Sequence, residues 1–150
     1  MAAVVYAPDA SELYSAASGQ GAKLNGRDIH VSDRAELEDA EVVGDARLFA
    51  KDIWPERWPR MTVHSRPSVA YRMASVALGR ADFTIALTPK RDWDVAAATL
   101  IAQEAGAVVS DHLGNPYRFN VIDSMKPSLI CSGPALFPQI IARCAHLHTL

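Results

Sequence analysis

Apolar and polar positions fall into two regimes that change near residue 40. Before it, short apolar runs are separated by turn residues. Val4-Val5-Tyr6 meets the turn Pro8-Asp9-Ala10-Ser11, and Glu12 to Ala17 returns as a second strand. Gly19, Gly21 and Asn25-Gly26 mark tight turns, Asn-Gly being the strongest two-residue hairpin signal. Ile29-His30-Val31 then closes an antiparallel meander over about residues 1–32. Asp33 to Asp39 is a polar connector. Beyond it, Glu41–Asp45, Phe83–Leu87, Val108–Ser110 and Ser128–Cys131 read as strands, with a short hairpin predicted at the Asp111–Pro116 turn. Ser68 is a good N-cap for a helix over 69–78 that Gly79 ends, and a second helix runs from Asp94 to Ala105 before Gly106. Ala135 to Cys144 predicts a last helix. Between Lys51 and Arg60, Trp54-Pro55 and Trp58-Pro59 predict a short helical turn or irregular loop. The pattern is α/β: a meander leading into a mixed, layered sheet with helices.

Composition narrows the classes. The 150 residues suffice for one domain, and the 49% hydrophobic and 21% charged content is that of a folded one. A formal net charge of −2 gives no electrostatic case for a nucleic-acid polymer as partner. No apolar run could span a bilayer, so no membrane partner is expected. The first residues have no basic n-region, unlike a secretory leader. Cys131 and Cys144 are not spaced as a metal pair and read as reduced thiols, so the expected compartment is cytoplasmic. One feature is odd: the strand at Val4 has almost no lead-in. Its sheet edge favours association, a homodimer being one expected form.

Chemistry concentrates in Lys90-Arg91-Asp92-Trp93-Asp94, where two carboxylates sit between an extended segment and a helix N-terminus. Strand ends in α/β sheets are where ligands bind, and a carboxylate there can hold a divalent cation or simply cap the helix amides. Other candidates read as structural. Glu104 is nearly three helical turns from Asp94, too far to share one ion. The histidines, including His146 and His148 in the tail, have no i,i+4 ligand spacing. Ser110-Asp111-His112 imitates a triad in letters only, because neighbours in an extended segment face opposite ways. Arg57, Arg60 and Arg66 read as a solvated connector, and Gly19 and Gly21 as turn glycines.

Several segments together resemble the inositol monophosphatase family. Trp93-Asp94-Val95-Ala96-Ala97-Ala98 with Glu104-Ala105-Gly106-Ala107 is similar to its C-terminal signature, whose last glycine is here Ala107. Val4-Val5-Tyr6-Ala7-Pro8 with Glu12-Leu13-Tyr14, then Gly19 to Gly26, then Val76-Ala77-Leu78-Gly79-Arg80-Ala81-Asp82, follow the family's patterns in the same order. The resemblance covers nearly the whole chain. It implies an αβαβα sandwich and a Mg²⁺-dependent phosphomonoesterase in which metal ions activate the attacking water. It also implies that Asp94 is a metal ligand and that Ser68 lies near the substrate, although Pro67 replaces the family's glycine.

The substrate implied is a small phosphorylated metabolite, an inositol monophosphate or a 3′(2′),5′-bisphosphate nucleotide. Phe83–Leu87 lacks the acid found in the inositol-specific branch, and Lys90 and Arg91 could meet a second phosphate. The family's other metal ligands come from Glu-Glu and Asp-Pro-x-Asp-Gly-Thr motifs upstream of its Val-Val-Tyr strand, where this sequence begins. This N-terminal metal-site portion is therefore expected to be missing, and the chain to be inactive alone, with no catalytic group of its own assigned. The alternative reading is a non-catalytic α/β module that binds a phosphorylated ligand or a partner chain.

Overall fold

Alternation along the first strands decides how the meander folds. In the computed structural model, which describes residues 1–147, β1 (Ala2–Ala7) and β2 (Glu12–Ala17) pair antiparallel, with Tyr6 opposite Leu13 and Val4 opposite Ser15. His148, read above as tail, lies outside the described residues. β3 (Ala22–Leu24) and β4 (Arg27–Ile29) complete a sheet in the order β1-β2-β3-β4. Asn25 and Gly26 both have positive φ, 48° and 81°, as a two-residue hairpin turn of twist-matched type requires. One face of the sheet buries Tyr14 and Ala16; the other leaves Val4 57% and Tyr6 60% exposed. The last strand ends at Ile29 rather than running to Val31. Val31 N instead donates to Ala105 O, drawing the chain toward the end of a distant helix.

The second sheet holds β5 (Ala40–Val43), β6 (Met61–His64), β7 (Phe83–Ala86), β9 (Val108–Ser110) and β11 (Leu129–Ser132), ordered β6-β5-β7-β11-β9. β5 runs parallel to both β6 and β7, whereas β11 is antiparallel to β7 and β9. The predicted hairpin at Asp111–Pro116 is limited to a single antiparallel bridge, Ser110 to Pro116, on the edge of β9 away from β11. A two-residue ribbon joins β8 (Lys90–Arg91) to β10 (Met125–Lys126).

Helices α2 (Val69–Ala77) and α3 (Asp92–Glu104) fill the space between the sheets, where Met73, Val76, Val95 and Ile101 share one apolar cluster with Tyr14 and Cys131. Behind the mixed sheet, Phe83, Ile85 and Ile130 form a second cluster with α4 (Phe137–Cys144) and Trp54 and Trp58 of the irregular 51–60 loop. The layers are therefore sheet, helices, sheet, helix. Full burial of each large aliphatic or aromatic side chain contributes roughly 1.5–3 kcal/mol. α1 (Ala46–Phe49) is a single turn capped by Asp45. Both cysteines are buried and unpaired, and among the described residues no helix is long and apolar enough to cross a membrane.

Two carboxylates lock the layers together. Glu104, at the end of α3, accepts from Gly19 N at 2.8 Å and Gly21 N at 2.9 Å, holding the β2–β3 turn. Asp82 accepts the Ser32 hydroxyl at 2.6 Å, Glu41 N at 2.7 Å and Arg34 Nε at 2.8 Å, fixing the connector between the sheets. Gly79 has φ +70°, and a Cβ there would lie 3.0 Å from His30 O.

Candidate active site

The three mutually parallel strands end on one side of the mixed sheet. β5 gives way there to Gly44 and Asp45, β6 to Ser65–Ser68 and β7 to Leu87–Lys90. Ser68 is the N-cap of α2, its hydroxyl accepting from Tyr71 N at 3.2 Å. The neighbouring Pro67 lines hollows on both sides of it. One hollow, of about 420 Å³, faces β1 and is walled by Val5, Tyr6 and Tyr71; the other, of about 380 Å³, faces Thr88 and Lys90.

α3 begins two residues before the predicted start. Arg91 is its N-cap, and Asp94 reaches back so that Oδ2 accepts from Arg91 N at 2.9 Å. Of the two offered roles, the structure displays capping: Asp94 caps the helix with one oxygen, while Oδ1 accepts no hydrogen bond among the described residues. Asp92 is committed elsewhere, paired at 2.5 Å with the buried Lys126. Arg91 does not line the cavity. Its guanidinium lies 5.7 Å from the Trp93 ring centroid and Nη1 donates to Ser124 Oγ at 3.4 Å.

Lys90 does line it. Its ammonium donates to Thr88 O at 2.7 Å and Thr88 Oγ1 at 2.6 Å. Burial, reinforced by the Arg72 charge, holds this lysine below its usual range, and Asp94 partly opposes that. Ser68, Lys90 and Asp94 thus gather at one end of the sheet. Sequence reasoning missed Arg72, although it is the one charged side chain in the otherwise apolar stretch of α2.

Among the described residues, the histidines and the serine–aspartate–histidine string form no second centre. His112 Nδ1 lies 2.7 Å from Ser128 Oγ, in the core, while Ser110 Oγ donates to Asp111 O. His64 pairs with Glu41 at the end of β6. Among the described residues, no group of three or more His, Cys, Asp or Glu side chains could hold a metal ion. Mg²⁺ takes octahedral oxygen ligands, and Asp94 offers one free oxygen. The residues present therefore do not by themselves make a magnesium site.

The model of the inositol monophosphatase family matches residues 1–148. The chain belongs to that family. A "Fructose-1,6-bisphosphatase/inositol-1-monophosphatase" of Thermotoga maritima is 37% identical over 131 residues, covering 81% of this chain and 49% of that protein. A "Putative Nus factor SuhB" of Neisseria meningitidis is 35% identical over 127 residues, covering 75% and 46%. The solved structure of a Thermotoga maritima IMPase superposes with a TM-score of 0.79 at 29% identity, over 95% of this chain and 55% of that one. This family member spans about half the length of the curated relatives it matches.

Proposed function

We propose that this chain supplies the substrate-facing part of a Mg²⁺-dependent phosphomonoesterase acting in the cytoplasm on a small phosphorylated metabolite, an inositol monophosphate or a 3′(2′),5′-bisphosphate nucleotide. The observation that carries the reading is the unbonded Asp94 Oδ1 at the start of α3, next to Lys90 and the cavity at the strand ends. Ser68 and the first turn of α2 present a hydroxyl and a positive helix end to an anion, and Lys90 adds a point charge. Arg91, on the rim beside Trp93, would meet substrate only by leaving that ring. One carboxylate does not hold a magnesium centre, so these 150 residues alone are expected to turn over poorly.

The test is phosphate release from inositol 1-phosphate and 3′,5′-bisphosphoadenosine, with and without Mg²⁺, by the chain and by Asp94→Asn. No release above the blank is expected from the 150-residue chain. Mg²⁺-dependent release lost in Asp94→Asn would overturn the claim of incompleteness and uphold the phosphatase; release that survives the substitution would remove Asp94 from the site. The in-frame codons before Met1 give a cheaper arm, since Glu-Glu and Asp-Pro-x-Asp-Gly encoded there support the enzyme. A stop codon there would favour the second reading, a non-catalytic module. One feature speaks for it: among the described residues β1 pairs only with β2, and its other edge lies beside exposed Val4 and Tyr6, open to a partner chain or a second copy.

A further inference from the structure

In an antiparallel ladder, opposed residues alternate between exchanging hydrogen bonds and pointing those groups away from each other. Ser18 N donates to Met1 O at 2.9 Å, so Ala3, Val5 and Ala7 are the residues of β1 that bond β2. Leu13, opposite Tyr6, gives the same phase, because its carbonyl accepts from Asn25 N on the far side. Ala2, Val4 and Tyr6 therefore aim their N–H and C=O groups at the open edge. Among the described residues, no strand pairs with them there. Their side chains share the outer face of the sheet, and all three are exposed. The usual guards of such an edge are missing, for Ala2–Ala7 holds no charge and no proline, and its register with β2 has no bulge. Farther across the outer face, Lys23 and Asp28 pair with each other and leave no unbalanced charge.

Such a strand is complementary to itself. A two-fold axis through Val4 sets Val4 opposite Val4 of a second copy, and Ala2 opposite its Tyr6. In this register all three residues exchange both hydrogen bonds with the second copy. Shifted by two residues toward Pro8, Ala2 would meet a ring nitrogen that carries no proton; shifted the other way, Tyr6 overruns β1. The apolar outer face also continues across the seam. Leu13 and Tyr6, neighbours within one copy, lie beside Val4 of both copies, and no like charges meet. We infer that the β1 edge is the contact by which two copies of this chain associate, joining their four-stranded sheets into one continuous sheet. The inference rests on the open edge of the non-catalytic reading, names its occupant and register, and does not depend on phosphatase activity.

Sedimentation equilibrium of the 150-residue chain tests it. A one-strand contact is small, so a monomer–dimer equilibrium is expected in the micromolar range or weaker. Val4→Lys puts like charges directly opposite each other at the two-fold and should weaken the dimer at least about tenfold. Val4→Pro should do the same by removing an edge donor that β2 does not use, with circular dichroism unchanged. Val121→Lys, at an exposed apolar site elsewhere, should leave the equilibrium intact. For the register, Val4→Cys should cross-link to itself under mild oxidation, whereas Tyr6→Cys, facing Ala2 of the second copy, should not. A chain that stays monomeric up to about 1 mM overturns the inference. So does a dimer that neither Val4 substitution weakens, which would place the contact on another face. Open-ended assemblies, or self-cross-linking by Tyr6→Cys but not Val4→Cys, overturn the two-fold at Val4. Phosphate release, measured separately, decides the phosphatase reading whichever way the dimer falls.

Discussion

Asp82 lets the price of a buried polar hub be worked out bond by bond. Its side chain is only 7% exposed and receives Glu41 N, the Ser32 hydroxyl and Arg34 Nε. Asp82→Ala orphans all three donors. A buried backbone N–H without a partner costs about 1–3 kcal/mol, and the lost hydroxyl bond adds about 1 kcal/mol. Arg34 is more than a third exposed, so water replaces most of its share. The expected loss is about 3 kcal/mol, a large part of the roughly 5–15 kcal/mol that holds a domain together. Asp82→Asn keeps an acceptor for Glu41 N, and the Ser32 hydroxyl can rotate to accept from the amide, so about 1–2 kcal/mol should suffice there. Urea unfolding followed by tryptophan fluorescence and circular dichroism measures both. An alanine variant within about 0.5 kcal/mol of wild type would refute the hub, since surface substitutions already reach that value.

Three further outcomes follow from the same structure. Arg80, with the Tyr14 and Tyr71 hydroxyls, holds the Glu12 carboxyl down at about 2 from 4.5. Its contribution is complete above the unfolded value and lost as pH falls toward the folded one. Stability should therefore drop by about 1–2 kcal/mol between roughly pH 4.5 and 2, after discounting the half-exposed Arg80, and Glu12→Gln should flatten that part of the urea-midpoint profile. Gly79→Ala places a Cβ 3.0 Å from His30 O in a left-handed residue and should cost about 2 kcal/mol by thermal or urea unfolding. Burial pushes the Cys131 and Cys144 thiols up to about 12, so a disulfide reagent at pH 8 should label neither until the protein unfolds.

Local signals carried the fold further than the site. Asn25-Gly26 and the 3.6-residue spacing of α2 announce themselves because a turn or a helix is decided within a few residues. The short hairpin after Ser110 closes with one bridge only, whereas the main partner of β9 is β11, a pairing between segments about 20 residues apart that no local signal announces. Asp94 left capping and metal ligation open, since both draw on a carboxylate at a helix start, and in the fold one of its oxygens caps α3. Asp82 and Glu104 gave no hint of being hubs, since their partners lie up to 85 residues away. Arg72 was visible as a charge inside an apolar helix, but only the strand ends reveal that it faces a cavity rather than solvent.

The tie between Glu104 and the turn at Gly19 and Gly21 also bears on how the chain is made. The meander's inner face, with Tyr14 and Ala16, is covered by helices that a ribosome delivers much later. At roughly 5–20 residues per second, the first sheet waits about 4–15 s after its own synthesis before the end of α3 emerges to pin it. During that interval both faces of a small, nearly uncharged β1–β2 ribbon are open to neighbours. Slowing translation between β4 and α3 should lengthen the exposure, and chaperone capture of nascent chains should peak there.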